Sequence, residues 1–213
     1  MKNDITELIF ILDRSGSMAG LEADTIGGFN AMLEKQKKLG GRAFVTTVLF
    51  NSECRRIHDR LPIEEVQRLT EKDYFVGGCT ALMDAVGGEV QHISKVHRYI
   101  RAEDVPEKTI FVITTDGMEN ASRKFRADEV RKMVEAKREE GWEFIFLAAN
   151  IDAAETAASF GVEREMAVNY HADGSGTKAV FESVCEAVKN VRERKTLGAG
   201  WARCVNEDNE RRK

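Results

Sequence analysis

The sequence predicts an α/β domain: a Rossmann-like, doubly wound, mostly parallel sheet of about six strands, with one short antiparallel edge strand and helices on both faces. Three observations predict it. Continuous apolar runs such as Leu8-Ile9-Phe10-Ile11-Leu12 and Ile110-Phe111-Val112-Ile113 lack the alternation of a half-solvated strand and read as strands buried on both faces. Between such runs, apolar residues recur every three or four positions, the spacing of amphipathic helices. The two kinds of segment alternate along the chain, which implies a parallel sheet covered on both sides.

Each element follows in order. Asp13 ends the first buried run. Ile26, Phe29 and Leu33 mark a helix that Gly40-Gly41 terminates. Its internal Gly27-Gly28 costs helix propensity and calls for close packing of that helix on the sheet. Residues 44–50 form a second strand, and the more polar 55–61 an edge strand ended by Pro62. Leu82, Val86, Val90, Ile93 and Ile100 line a long amphipathic helix. After the strand at 110–113 come a helix marked by Val130, Met133 and Val134, a strand over 142–149, a short Ala-rich helix over 152–160 and a last strand over 166–170. Val180, Val184, Val188 and Val191 line a final helix. The domain is expected over residues 5–194, with 195–213 a tail in which the almost wholly polar 206–213 frays.

The chain has 213 residues, 42% of them hydrophobic and 32% charged, which suits one domain with a sizeable core and a solvated surface. Lys and Arg number 32 and Asp and Glu 36, a net charge of −4, which argues against nucleic-acid binding. No apolar run reaches the roughly 20 residues that span a bilayer, so no membrane partner is expected. The first residues, 1–4, lack a secretory pattern. Cys54, Cys79, Cys185 and Cys204 form no C-x-x-C pair and have no His at zinc-ligand spacing, so they read as reduced thiols of a cytoplasmic protein. His92 and His97 are five apart, off a shared helical face, and make no metal pair. The Arg-rich pieces at 55–56, 192–195 and 211–213 read as solvated faces.

In a doubly wound sheet the functional groups gather beyond the carboxyl ends of the strands. Asp13-Arg14-Ser15-Gly16-Ser17 follows the first strand, Asp116 follows the 110–113 strand, and Gly77-Gly78-Cys79-Thr80 opens the long helix. Three loops thus bring two carboxylates and three hydroxyls, all hard oxygen donors suited to Mg²⁺, Mn²⁺ or Ca²⁺. Largely neutral donors leave such an ion with surplus positive charge that favours an added carboxylate from a partner. Four further residues border these loops. Asp84 either orients Thr80 or a metal-bound water or bonds to backbone; Glu119 and Asn120 stand on the rim or stabilise a turn; Asn150 ties neighbouring loops together. Cys79, beside Thr80, either fills a gap or exposes an oxidisable thiol.

Asp13-x-Ser15-x-Ser17, with Thr80 in G-G-x-T-A-L at 77–82 and Asp116 in T-D-G at 115–117, resembles the metal-ion-dependent adhesion site of von Willebrand factor type A domains. In that family two serines and a threonine are metal ligands, directly or through water, and two aspartates hold the metal partly through waters. The resemblance therefore implies Ser15, Ser17, Thr80, Asp13 and Asp116 as the metal site, and a protein partner that supplies Asp or Glu to the open position. Thr115-Asp116-Gly117-Met118-Glu119-Asn120 and Ala149-Asn150-Ile151-Asp152-Ala153 are similar to recurrent segments of a bacterial branch of short cytoplasmic proteins. The competing expectation is a metal-dependent hydrolase or phosphoryl-transfer enzyme of haloacid-dehalogenase-like type. That enzyme needs a second Asp two residues after the first, where this chain has Ser15, and no phosphate loop or nucleophile elbow is present.

Overall fold

A computed structural model describes residues 4–193, 197–198 and 200–213. The elements run β1 (Ile5–Asp13), α1 (Glu22–Lys37), β2 (Arg42–Phe50), β3 (Cys54–Pro62), α2 (Leu82–Tyr99), β4 (Lys108–Thr115), α3 (Ala127–Glu139), β5 (Glu143–Ala148), α4 (Ala153–Ser159), β6 (Ala167–Asn169), α5 (Gly174–Arg192) and α6 (Arg203–Arg211). The six strands form one sheet in the order β3-β2-β1-β4-β5-β6, with β3 antiparallel to β2 and every other pair parallel.

Burial of both sheet faces explains the apolar runs. Leu8, Phe10 and Leu12 of β1 join a core with Phe29 and Met32 of α1, Val184 and Val188 of α5 and Val205 of α6. The alternate residues Ile9 and Ile11 join a second core with Val86 and Val90 of α2, Val130 and Val134 of α3 and Ala157 of α4. From β1 the chain winds outward to β2 and β3, then returns to the other side of β1 as β4 and winds outward again. The order therefore reverses between β1 and β4, and their carboxyl ends flank the crevice where such sheets bind ligands.

Several expectations need correction. The edge strand β3 is as long as β1 and β2, not short. It carries a bulge: Val45 pairs with Leu61 and Thr47 with His58, so Asp59 and Arg60 together oppose Thr46. Gly28 of α1 is explained by α5 and not by the sheet, because a Cβ there would lie 2.2 Å from the Phe181 ring. The stretch expected to fray is helical: α6 rests on α5 through Trp201, Ala202 and Val205, all buried. Arg212 anchors its end on Asp173 and Asp208. Like Arg212, one arginine in each of the other Arg-rich pieces is engaged by the fold rather than solvated. Arg192 is buried and donates to the backbone carbonyls of Gln36, Gly40 and Gly41, closing the end of α1. Arg56 makes a bidentate pair with Glu89 at 2.7 and 3.0 Å. The expected domain boundary at 194/195, the amino-terminal residues 1–3 and residue 199 lie outside the described residues.

Candidate metal centre

The loop after β1 is built around the Asp13 carboxylate. Its Oδ1 accepts the Ser15 amide at 2.6 Å, and its Oδ2 accepts the Thr115 hydroxyl at 2.6 Å and the Asp116 amide at 3.5 Å. The first bond bends the chain immediately after the strand, and the other two tie the ends of β1 and β4 together. From beneath, the buried Tyr74 hydroxyl donates to the Asp13 carbonyl at 2.5 Å. Gly77 donates to the Arg14 carbonyl at 2.9 Å, and Gly16 to the Gly78 carbonyl at 3.0 Å, so the second loop is laced to the first.

Thr80 is held from both sides. Its amide donates to the Asn120 side-chain oxygen at 2.9 Å, and its carbonyl accepts the Asn120 amide at 3.0 Å. The three hydroxyls converge: the Ser15 and Ser17 oxygens lie 3.1 Å apart, and a Cβ on Gly117 would stand 3.2 Å from Ser17 Oγ and 3.3 Å from Thr80 Oγ1. Any other residue at 117 would crowd both hydroxyls, which accounts for the glycine after Asp116.

Asp116 completes the group. Its Oδ1 accepts the Asn150 amide at 2.5 Å, and Asn150 takes a left-handed φ of 58° at the end of the β5 loop, a conformation Asn tolerates. Burial pushes the Asp116 carboxyl up, the Asn150 amide draws it down, and the negative charge of Asp13 adds upward. Asp13 and Asp116 are both buried, and no basic side chain is among the groups that bear on Asp116. Two buried carboxylates facing one another, neither in an ion pair among the described residues and bordered by three hydroxyls, fit a hard divalent cation. Among the described residues no three His, Cys, Asp or Glu side chains gather as a metal cluster. The candidate donors are instead two carboxylates and three hydroxyls, which offer nothing to a soft metal.

A family model described as "VWA domain containing CoxE-like protein" matches residues 2–183. The chain belongs to this VWA family. Its fold has solved counterparts at low identity. The vWF domain of the type V pili tip protein Mfa5 from Porphyromonas gingivalis superposes with TM-score 0.62 at 10% identity, covering 91% of this chain and 98% of that one. The manganese-loaded TRAP protein of Plasmodium vivax gives 0.57 at 15%, covering 84% and 73%. Proximal thread matrix protein 1 of the mussel byssus, with a zinc-occupied MIDAS motif, gives 0.57 at 14%, covering 88% and 47%. The chain thus spans about half of the mussel protein's length. No curated protein matches it.

Within this VWA domain the structure brings together all five residues singled out for the metal. The four bordering residues divide. Asn120 and Asn150 fasten Thr80 and Asp116 directly. Asp84 does not reach toward Thr80: its carboxylate accepts the amides of Arg123, Lys124 and Phe125 at 2.8 to 3.0 Å. Glu119 turns away from the rim and accepts the Met83 amide in the first turn of α2, the Ala121 and Ser122 amides and the Ser122 hydroxyl. Both acids serve to clamp the 119–125 loop onto α2. Sequence reasoning misses Thr115 and Tyr74. Thr115 lies in the T-D-G motif, which is a usable signal; Tyr74 lies in an irregular segment with none. Cys79 is exposed and fills no gap, and all four cysteines are free. His92 and His97 go to different acids, Asp59 at 2.8 Å and Glu7 at 3.4 Å. No helix among the described residues is long and apolar enough to cross a membrane.

Proposed function

We propose that this VWA domain is a divalent-cation-dependent protein-binding module, in which Asp13, Ser15, Ser17, Thr80 and Asp116 hold Mg²⁺, or Mn²⁺ or Ca²⁺ in its place. When bound, the ion supplies a positive centre with room for the Asp or Glu side chain of a partner protein. The observation that carries this reading is the convergence of three hydroxyls across from Gly117, beside two buried carboxylates that form no ion pair among the described residues. Asp13 spends both its oxygens on protein donors, so contact with the ion through water suits it better than direct ligation. The zinc and manganese in two structural counterparts support a divalent ion. The bacterial, cytoplasmic setting rests on the likeness of the 115–120 and 149–153 segments to that branch of the family.

The enzyme reading is weaker. Ser15 stands where a dehalogenase-like phosphatase needs its second Asp, and no Lys bears on Asp116. Ser17→Ala and Thr80→Val test the proposal, since each deletes one donor while leaving the Asp13 bonding intact. Titration calorimetry with Mg²⁺ should give a saturable heat in the native chain that either change removes, with unfolding in chelator unaltered. A native chain without such a heat, or turnover on a phosphatase panel, would sink it.

A further inference from the structure

A large furrow opens beside the metal centre and runs away from it. Its first part, a cavity of about 1070 Å³, lies between the Ser52–Arg56 region, the first half of α2 and the 120–125 loop that holds Thr80. Its second part, about 940 Å³, continues between α2 and α3. Both parts are lined by Gly88 and Gln91, so they meet on α2. At Gly88 the floor is bare: a Cβ there would meet nothing within 4 Å.

The charges along the furrow are one-sided. Most of its acids are spent: Asp84 on three backbone amides, Glu89 on Arg56 and Glu140 on Lys137. Of the acids lining it, Glu53 alone has its carboxylate outside such bonds among the described residues. Five bases are unspent. Arg123 and Lys124 line the first part and Lys95, Arg98 and Lys132 the second, all exposed and none in an ion pair among the described residues. A chain of net charge −4 therefore keeps a file of cations, unpaired among the described residues, along one furrow whose near end is lined by Cys79 and Asn120, the neighbours of Thr80.

We propose that this furrow is the docking groove for an extended, acidic segment of the partner protein, entered from the metal centre. The proposal rests on the metal-dependent reading above and names the partner's chemistry: one carboxylate for the ion, then further Asp or Glu residues for the cations along α2 and α3. The dimensions suit such a segment. From Asp84 to Arg98, α2 rises about 21 Å, the length of about six extended residues. Exposed Tyr99 and half-buried Met133 give the far end apolar surface for a peptide. Opposed charges of this kind steer encounter and set specificity.

Fluorescence anisotropy with two labelled peptides tests it, one of Asp followed by six Glu, the other of Asp followed by six Gly. In Mg²⁺ the acidic peptide should bind at least about tenfold tighter than the neutral one, with the advantage shrinking as salt rises. The triple change Lys95→Glu, Arg98→Glu, Lys132→Glu should abolish the advantage and leave the neutral peptide's affinity unchanged. Gly88→Leu, which fills open space where the two parts meet, should reduce it without reversing any charge. Equal affinities for the two peptides, indifference to the triple change, or a six-nucleotide single strand that displaces the acidic peptide would each overturn the groove. Chelator judges the metal separately. If it leaves both affinities unchanged, the ion reading fails, while the ratio between the peptides still decides the furrow.

Discussion

Strand β1 buries a carboxylate near each of its ends, and the molecule treats the two in opposite ways. Glu7, fully buried near the amino end, has counter-charge supplied by the protein. Arg60 reaches it at 2.8 Å and His97 at 3.4 Å. The bulge in β3 makes that possible, since Arg60 adopts a φ of 51° and its guanidinium crosses β2 over the Phe44 ring. Asp13, equally buried at the carboxyl end, receives only neutral donors among the described residues and faces Asp116. Burial of charge alone does not mark a functional site. What distinguishes the two ends is whether the fold aims a cation at the carboxylate: among the described residues no base pairs with Asp13 or Asp116, and the buried Arg14 guanidinium next in the chain lies over the Phe75 ring instead, 4.6 Å from its centre.

The difference can be broken at the amino end first, where the largest effect is expected. Arg60→Met leaves Glu7 buried with His97 as its remaining partner among the described residues. It should cost about 3–5 kcal/mol in urea unfolding, the usual penalty for orphaning a buried charge. Mg²⁺ should still stabilise what remains folded, since the candidate metal centre lies at the far end of the strand. Next in size is the ion itself. At a hundred times its dissociation constant it should stabilise the native chain by about 2.7 kcal/mol, seen as a rise in the unfolding midpoint that EDTA reverses. Thr80→Val should show no such rise. A rise that survives Thr80→Val would place the ion elsewhere and dissolve the contrast between the two ends.

Much of this architecture is legible in the amino-acid sequence, and for physical reasons. A strand buried on both faces cannot alternate, so β1, β4 and β5 declare themselves as apolar runs, and the topology singles out the residues just past their ends as candidates. Asp13, Ser15, Ser17, Thr80 and Asp116 are therefore readable as a group. Their supports are readable only in part. Asn120 and Asn150 sit in recognisable segments, but the spacing does not say which atom each one holds, and Asp84 and Glu119 look like rim acids until the amides they accept are known. Tyr74 lies in the irregular 63–81 stretch, where no periodicity reveals that its hydroxyl supports Asp13. The last helix hides for a different reason. α6 docks by a narrow stripe, Val205 with Trp201 and Ala202 ahead of it, inside an otherwise polar segment. Arg192 looks solvated in a run of charges, although its partners are carbonyls some 150 residues earlier.

The smallest expected effect is the sharpest, because it should change sign between the two ends of β1. Asp116→Asn keeps the shape of the side chain and an oxygen to accept the Asn150 amide, while it removes one of two like charges from a buried site. In chelator this variant should be more stable than the native chain, by on the order of 1 kcal/mol, the ordinary size of a single-site effect. The same isosteric change at the other end, Glu7→Gln, strands the largely buried Arg60 guanidinium and should lower stability. Adding Mg²⁺ should then invert the ranking at Asp116: the native chain gains from the ion and the variant, left with one carboxylate, gains far less. Paired urea titrations of the three proteins, with and without Mg²⁺, measure all of this. If Asp116→Asn destabilises the metal-free protein as Glu7→Gln does, both carboxylates are structural, and the carboxyl end of β1 loses its claim to be a receptacle for a cation.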